Sequence, residues 1–142
     1  ARREFEGRMQ VIWHDCRVGL LVCEEEKRRY VGCGAGRLVA RILPDGTVTP
    51  CVFLPTAIGS LEYESFATLW SRSLLMQQFR DRTGHVTGNC GSCEHLQTCG
   101  GCRAVAFAYS GGDPLAGDPH CWINRFTEAV KLDLAAGEGL PI

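Results

Sequence analysis

Apolar and polar positions alternate loosely over residues 8–14 (RMQVIWH), a stretch rich in strand formers that predicts a short strand. The charge run Glu24–Arg29 (EEEKRR) then reads as a solvated face or loop. Two apolar, β-rich runs, residues 37–43 (RLVARIL) and 47–53 (TVTPCVF), flank Pro44–Asp45–Gly46. Proline presets φ for a turn and glycine accepts a positive φ, so the pair predicts a β-hairpin. Pro50 has no N–H for the ladder, which assigns the second strand to an edge or ends it early.

Beyond a loop through Pro55 and Gly59, Phe66, Leu69, Trp70, Leu74, Leu75 and Phe79 recur at helical spacing. Residues 65–81 are therefore one amphipathic helix, or two short ones broken near Ser73, and both Ser65 and Ser73 suit an N-cap. This aromatic stripe reads as core, not as a ligand site. From Asn89 to Cys102 the periodicity disappears and glycine and cysteine dominate, as in a loop wrapped on something other than its own side chains. Residues 103–109 (RAVAFAY) predict a short helix closed by Ser110–Gly111–Gly112, and residues 122–134 a C-terminal helix. The fold class is α+β: a small β-hairpin plus helices, with cysteine-rich loops and little regular structure around them.

Composition narrows the function. The 142 residues fit one domain, and 45% apolar content suits an ordinary globular core. A formal charge of −1 offers no electrostatic footprint for nucleic acid or an anionic membrane. No run approaches the roughly 18 apolar residues of a membrane span. The start, Ala1 to Glu6, has neither an apolar h-region nor an initiator Met, so a processed or excised fragment without a signal peptide is expected.

Cysteine changes the picture most. Nine occur, at 16, 23, 33, 51, 90, 93, 99, 102 and 121. A disulfide scaffold calls for a short secreted chain with an even count. The odd count and the long apolar segments favour reduced, metal-binding thiols in the cytoplasm. The segment from Cys90 to Cys102, CGSCEHLQTCGGC, has the pattern C-x2-C-x5-C-x2-C, with Cys121 eighteen residues further on. Its glycines let backbone amides point at sulfur, and thiolate-only ligation selects zinc or an iron–sulfur cluster. Upstream, Cys33 precedes the first predicted strand and Cys51 lies on the second, so the hairpin can bring them together. His95 and His120 are candidate donors to a cluster sulfur or plain loop histidines, and Arg103 is a counter-charge or a helix-surface residue.

The order C…G-x4-C from Cys33 through Gly46 to Cys51, the dense motif, and the distant Cys121 resembles the SPASM domain. That domain is the C-terminal extension of radical S-adenosylmethionine (SAM) enzymes such as anaerobic sulfatase-maturing enzymes and peptide or cofactor maturases. Pro50–Cys51, Ile58–Gly59–Ser60–Leu61, Leu69–Trp70, the CGGCRA segment and Gly117–Asp118–Pro119–His120–Cys121 carry the resemblance further. In detail it is similar to the SPASM regions of tetrapyrrole-modifying enzymes of the haem and haem d1 pathways. The resemblance divides the chain into residues 1–29, the end of a preceding radical SAM core or a linker; 30–122, the auxiliary-cluster domain; and 123–142, a C-terminal helix and tail.

The resemblance implies two auxiliary clusters of the [4Fe–4S] type. Cys33, Cys51 and Cys102 fall to cluster I, and Cys90, Cys93, Cys99 and Cys121 to cluster II. For the fourth place on cluster I, Cys23 stands first and Cys16 second, with an open site or a [2Fe–2S] cluster as alternatives. The family commonly has three residues between the last two dense cysteines, whereas here only Gly100 and Gly101 intervene. No cysteines stand at C-x3-C-x2-C, so SAM and its cluster would belong to a core absent from this chain. The expected role is electron transfer and substrate positioning in a larger maturase, with a radical SAM core, a peptide or small-molecule substrate, and ferredoxin or flavodoxin as partners. The alternative is a zinc-binding structural or interaction module.

Overall fold

In the computed structural model, residues 15–20 and 32–123 are described. The expected strand at 8–14, the charge run at 24–29, Cys23 and the C-terminal helix beyond Ile123 lie outside them. A 3-10 turn, Val18–Leu20, opens the described chain. The hairpin then forms from β1 (Arg41–Ile42) and β2 (Thr47–Thr49), with Arg41 opposite Thr49 and Ile42 opposite Val48. Its turn closes where Gly46 N–H donates to Leu43 C=O (2.9 Å), and Asp45 Oδ1 accepts from Thr47 N–H (2.9 Å). Strand β2 stops at Thr49, just before Pro50.

A third strand, β3 (Gly59–Ser60), pairs antiparallel with β2, so the sheet order is β1-β2-β3. Sequence reading treats this stretch as loop, because two residues are too few for a period. The pairing depends on Gly59, where φ is +147° and the absent Cβ leaves room for the Leu69 side chain. This places β3 against the first helix.

The segment 65–81 forms two helices, α1 (Phe66–Arg72) and α2 (Leu74–Arg80). Ser65 Oγ accepts from Thr68 N–H (3.2 Å) and Ser73 Oγ from Met76 N–H (3.4 Å), so each serine caps a helix. Ser73 leaves helical geometry at ψ 119°, and the helix restarts in a new register. For that reason the apolar stripe is only partly core: Leu69, Met76 and Phe79 are buried, whereas Phe66 and Leu74 are exposed. Arg80 locks the end of α2, donating to Gly36 C=O (2.9 Å) and Trp70 C=O (2.5 Å) with its guanidinium 4.7 Å from the Trp70 ring centre. A single turn, α3 (Gly88–Gly91), and a helix, α4 (Arg103–Tyr109), complete the described regular structure.

The interior has two small apolar clusters. Ala35, Leu54 and Phe79 form one, with Cys33 and Cys51 packed against it; Val86, Cys90 and Leu96 form the other. Leu115 touches both. Cysteine therefore borders each core, where a protein of this size would otherwise place aliphatic side chains. No helix among the described residues is long and apolar enough to cross a membrane.

Candidate metal centre

Arg82 holds the dense cysteine loop in place. The side chain is buried and donates to the carbonyls of Leu96 (3.1 Å), Gln97 (3.0 Å) and Cys33 (2.8 Å). Removal from water pulls its pKa down to about 10, and the neighbouring Arg37 and Arg103 add to this, while the Cys33 and Cys99 sulfurs act in the opposite sense. It remains a cation at neutral pH. A second tie runs from Cys33 N–H to Cys99 C=O (2.9 Å). The segment before the hairpin is thus fastened to the loop 66 residues later in the chain.

Gly100 and Gly101 shape the loop's end. Both have left-handed φ, +72° and +62°. A Cβ at Gly100 would run into the Arg82 guanidinium, and one at Gly101 would stand 2.7 Å from Arg103 Nη2 and 3.0 Å from Cys90 Sγ. Two successive left-handed residues turn the chain tightly between Cys99 and Cys102.

The result is a partly open cavity bordered by Cys90, Cys93, Cys99 and Cys121 together with His95 and Arg17. These four cysteines are the set that the resemblance groups as cluster II. Backbone N–H groups point at their sulfurs: Asp118 N–H at Cys90 (3.2 Å), His95 N–H at Cys93 (3.4 Å) and Gly101 N–H at Cys99 (3.4 Å). Burial pushes the Cys90 thiol up, and the Asp118 N–H and the Arg103 charge pull it partly back.

Cys33, Cys51 and Cys102 lie on the hairpin side. Cys33 and Cys51 share one apolar cluster with Ala104 at the start of α4. Phe53 N–H donates to Cys51 Sγ (3.5 Å). Cys102 is the N-cap of α4; burial raises its pKa, the Val105 and Ala104 N–H groups lower it, and the nearby Cys33 raises it. Cys16, in the turn before Val18, sits beside Cys99, with Cys33 and Cys102 close enough to interact electrostatically. A hydrogen bond from its thiol to Cys99 raises Cys16 and lowers Cys99, and Gly101 N–H and Arg82 also favour the Cys99 thiolate. Arg17 Nη1 donates to His120 C=O (2.6 Å), tying this turn to the tail beside Cys121. No disulfide joins the eight described cysteines.

Two residues in the site go unread in the sequence. One is Arg82. The other is Asp118, whose fully buried carboxylate accepts from Cys102 N–H (2.8 Å) and His120 N–H (2.8 Å) while its own N–H faces Cys90. It links both cysteine sets through its backbone and side chain. The only signal for it is its place in the GDPHC segment; nothing in the pattern around Arg82 marks that residue. The His120 ring packs edge-on against Tyr109 at 4.6 Å. Arg103 is buried, not a helix-surface residue.

These residues fit an iron–sulfur cluster. The donors are thiols, backbone N–H groups are aimed at them, and a buried guanidinium stands beside Cys90. Cys90, Cys93, Cys99 and Cys121 border one space.

The model of the SPASM iron–sulfur cluster-binding domain matches residues 33–103, half of the chain. The chain belongs to the SPASM family. It is an iron–sulfur cluster-binding domain, and nothing in its relatives or its geometry favours zinc. AdoMet-dependent heme synthase of Nitratidesulfovibrio vulgaris is 39% identical to it over 90 residues, 63% of this chain and 24% of that protein. Mycofactocin maturase MftC of Mycobacterium tuberculosis is 40% identical over 95 residues, 63% of this chain and 23% of the maturase. PqqA peptide cyclase of Ruegeria pomeroyi is 34% identical over 116 residues, 75% of this chain and 30% of the cyclase. This SPASM domain thus spans about a quarter of the length of the curated relatives it matches. No solved structure matches it significantly.

Proposed function

We propose that this SPASM domain is the auxiliary-cluster module of a radical SAM enzyme that modifies a peptide or a tetrapyrrole-like cofactor, and that it carries two [4Fe–4S] clusters. Residues 30–122 form the module. The preceding 1–29 lead from a radical SAM core, and 123–142 are its tail. Cys90, Cys93, Cys99 and Cys121 hold one cluster; the single observation behind this set is the cavity that all four border. Cys33, Cys51 and Cys102 hold the other, with Cys16, which is within electrostatic reach of Cys33 and Cys102, as fourth ligand.

When bound, such clusters supply one-electron transfer at potentials tuned by burial and hydrogen bonding to sulfur. The chain's own part is to hold the thiolates, to aim N–H groups at them, and to keep water away by packing Val86, Leu96 and Leu54 behind them. The relatives' printed activities, haem synthesis and peptide maturation or cyclisation, support a substrate of that kind for the parent enzyme.

The test is anaerobic reconstitution of the chain with iron and sulfide, followed by metal analysis and low-temperature EPR. About eight irons are expected for two cubane clusters. Cys93→Ser should lose one EPR signal and Cys16→Ser the other, each with about half the iron. Full iron in Cys16→Ser together with loss in Cys23→Ser would hand the fourth place to Cys23.

A further inference from the structure

Arg103 has donors without acceptors. The side chain is 2% exposed, and only Nη1 is used, on the carbonyls of Pro114 (3.2 Å) and Ala116 (2.9 Å). Among the described residues, buried Nε and Nη2 have no hydrogen-bond partner and Arg103 has no salt bridge. A buried cation is strongly disfavoured unless an anion compensates it. The nearest buried carboxylate, Asp118, already accepts from Cys102 and His120. What Nη2 faces is Cys90: the donor and Cys90 Sγ stand 2.7 and 3.0 Å from the one point where a Cβ on Gly101 would lie. The glycine keeps that gap open.

We propose that Arg103 is a charged hydrogen-bond donor to Cys90 at the cluster held by Cys90, Cys93, Cys99 and Cys121, acting through Nη2 to set that cluster's potential. This rests on the two-cluster reading above. A thiolate-ligated cluster is anionic and gains a further negative charge on one-electron reduction. A fixed cation whose Nη2 faces a ligand sulfur stabilises the reduced form more than the oxidised one, and so raises the potential. Nη1, held by two carbonyls, fixes the direction in which Nη2 points. Arg103 is thus a positioning residue, acting on the cluster without being a ligand.

The test is an EPR-monitored titration of the reconstituted chain, with dithionite as the one-electron donor. In Arg103→Gln, the reduced fraction of one cluster at a fixed poise should fall about tenfold, equivalent to about 59 mV for one electron. The other cluster is the internal control and should not move. Arg103→Lys, which keeps the charge, should recover part of the shift. A full complement of iron with unchanged potentials in Arg103→Gln overturns the proposal. Should both variants fail to hold iron, arginine-15N hyperfine coupling to the reduced cluster decides instead. Coupling in the Arg17→Lys/Arg82→Lys chain supports the assignment, and its absence overturns it. A wild-type chain that takes up no iron defeats the underlying two-cluster reading, and with it this proposal.

Discussion

The Arg82 guanidinium donates to the carbonyl of Cys33 at 2.8 Å across 49 residues of sequence, while its other nitrogen holds Leu96 and Gln97. One buried cation therefore joins the segment before the hairpin to the dense cysteine loop. In Arg82→Met three carbonyls lose their donor, and each buried unsatisfied acceptor costs about 1–3 kcal/mol. The metal-free chain should lose about 1–3 kcal/mol, seen as a lower urea midpoint. A midpoint equal to wild type would remove Arg82 as the clamp.

Gly101→Ala and Gly111→Ala form a matched pair. Both sites have left-handed φ, +62° and +78°, so each substitution incurs about 1–2 kcal/mol of backbone strain. Only at Gly101 does the new methyl also meet Arg103 Nη2 and Cys90 Sγ; at Gly111 nothing lies within 4 Å. Iron analysis after reconstitution should show about half the iron lost in Gly101→Ala and none in Gly111→Ala. Equal iron in the two variants contradicts a special role for Gly101.

Cys90 and Cys102 make stability depend on pH in a definite direction. Burial raises Cys90 and Cys102 above the unfolded thiol value of 9.0. A group with a raised folded pKa contributes fully below the unfolded value, and that contribution is lost as pH rises through the folded one. Thermal unfolding of the metal-free chain should therefore drop in midpoint as pH climbs past 9.0, and less steeply in Cys90→Ser/Cys102→Ser. A double variant with the same alkaline slope would show that these thiols are not the cause.

Ser65→Ala and Ser73→Ala each remove one cap from the helix pair and should each cost about 1 kcal/mol in denaturant unfolding. Substitution of Ser71, whose hydroxyl bonds back to Ala67 C=O within the helix, is the control and should change little.

Local chemistry was legible wherever neighbouring residues decide the outcome. Pro44–Asp45–Gly46 predicts the hairpin turn, Pro50 the end of β2, and Ser65 and Ser73 the caps, because each acts through bonds within a few positions of itself. Strand β3 was not legible, since it exists through Gly59 meeting Leu69 and β2. Nor was the exposure of Phe66 and Leu74, which follows from the change of helical register at Ser73.

The sequence by itself determined the donor type, the order of the cysteines and the SPASM family, because spacing and residue chemistry are written along one dimension. Only the tertiary structure decided which cysteines border a common cavity, that Cys16 comes beside Cys99, and that Arg82, Arg103 and Asp118 are the buried charges around them. A buried charge is tolerable only where distant backbone groups or an anion meet it, and folding alone brings those partners together.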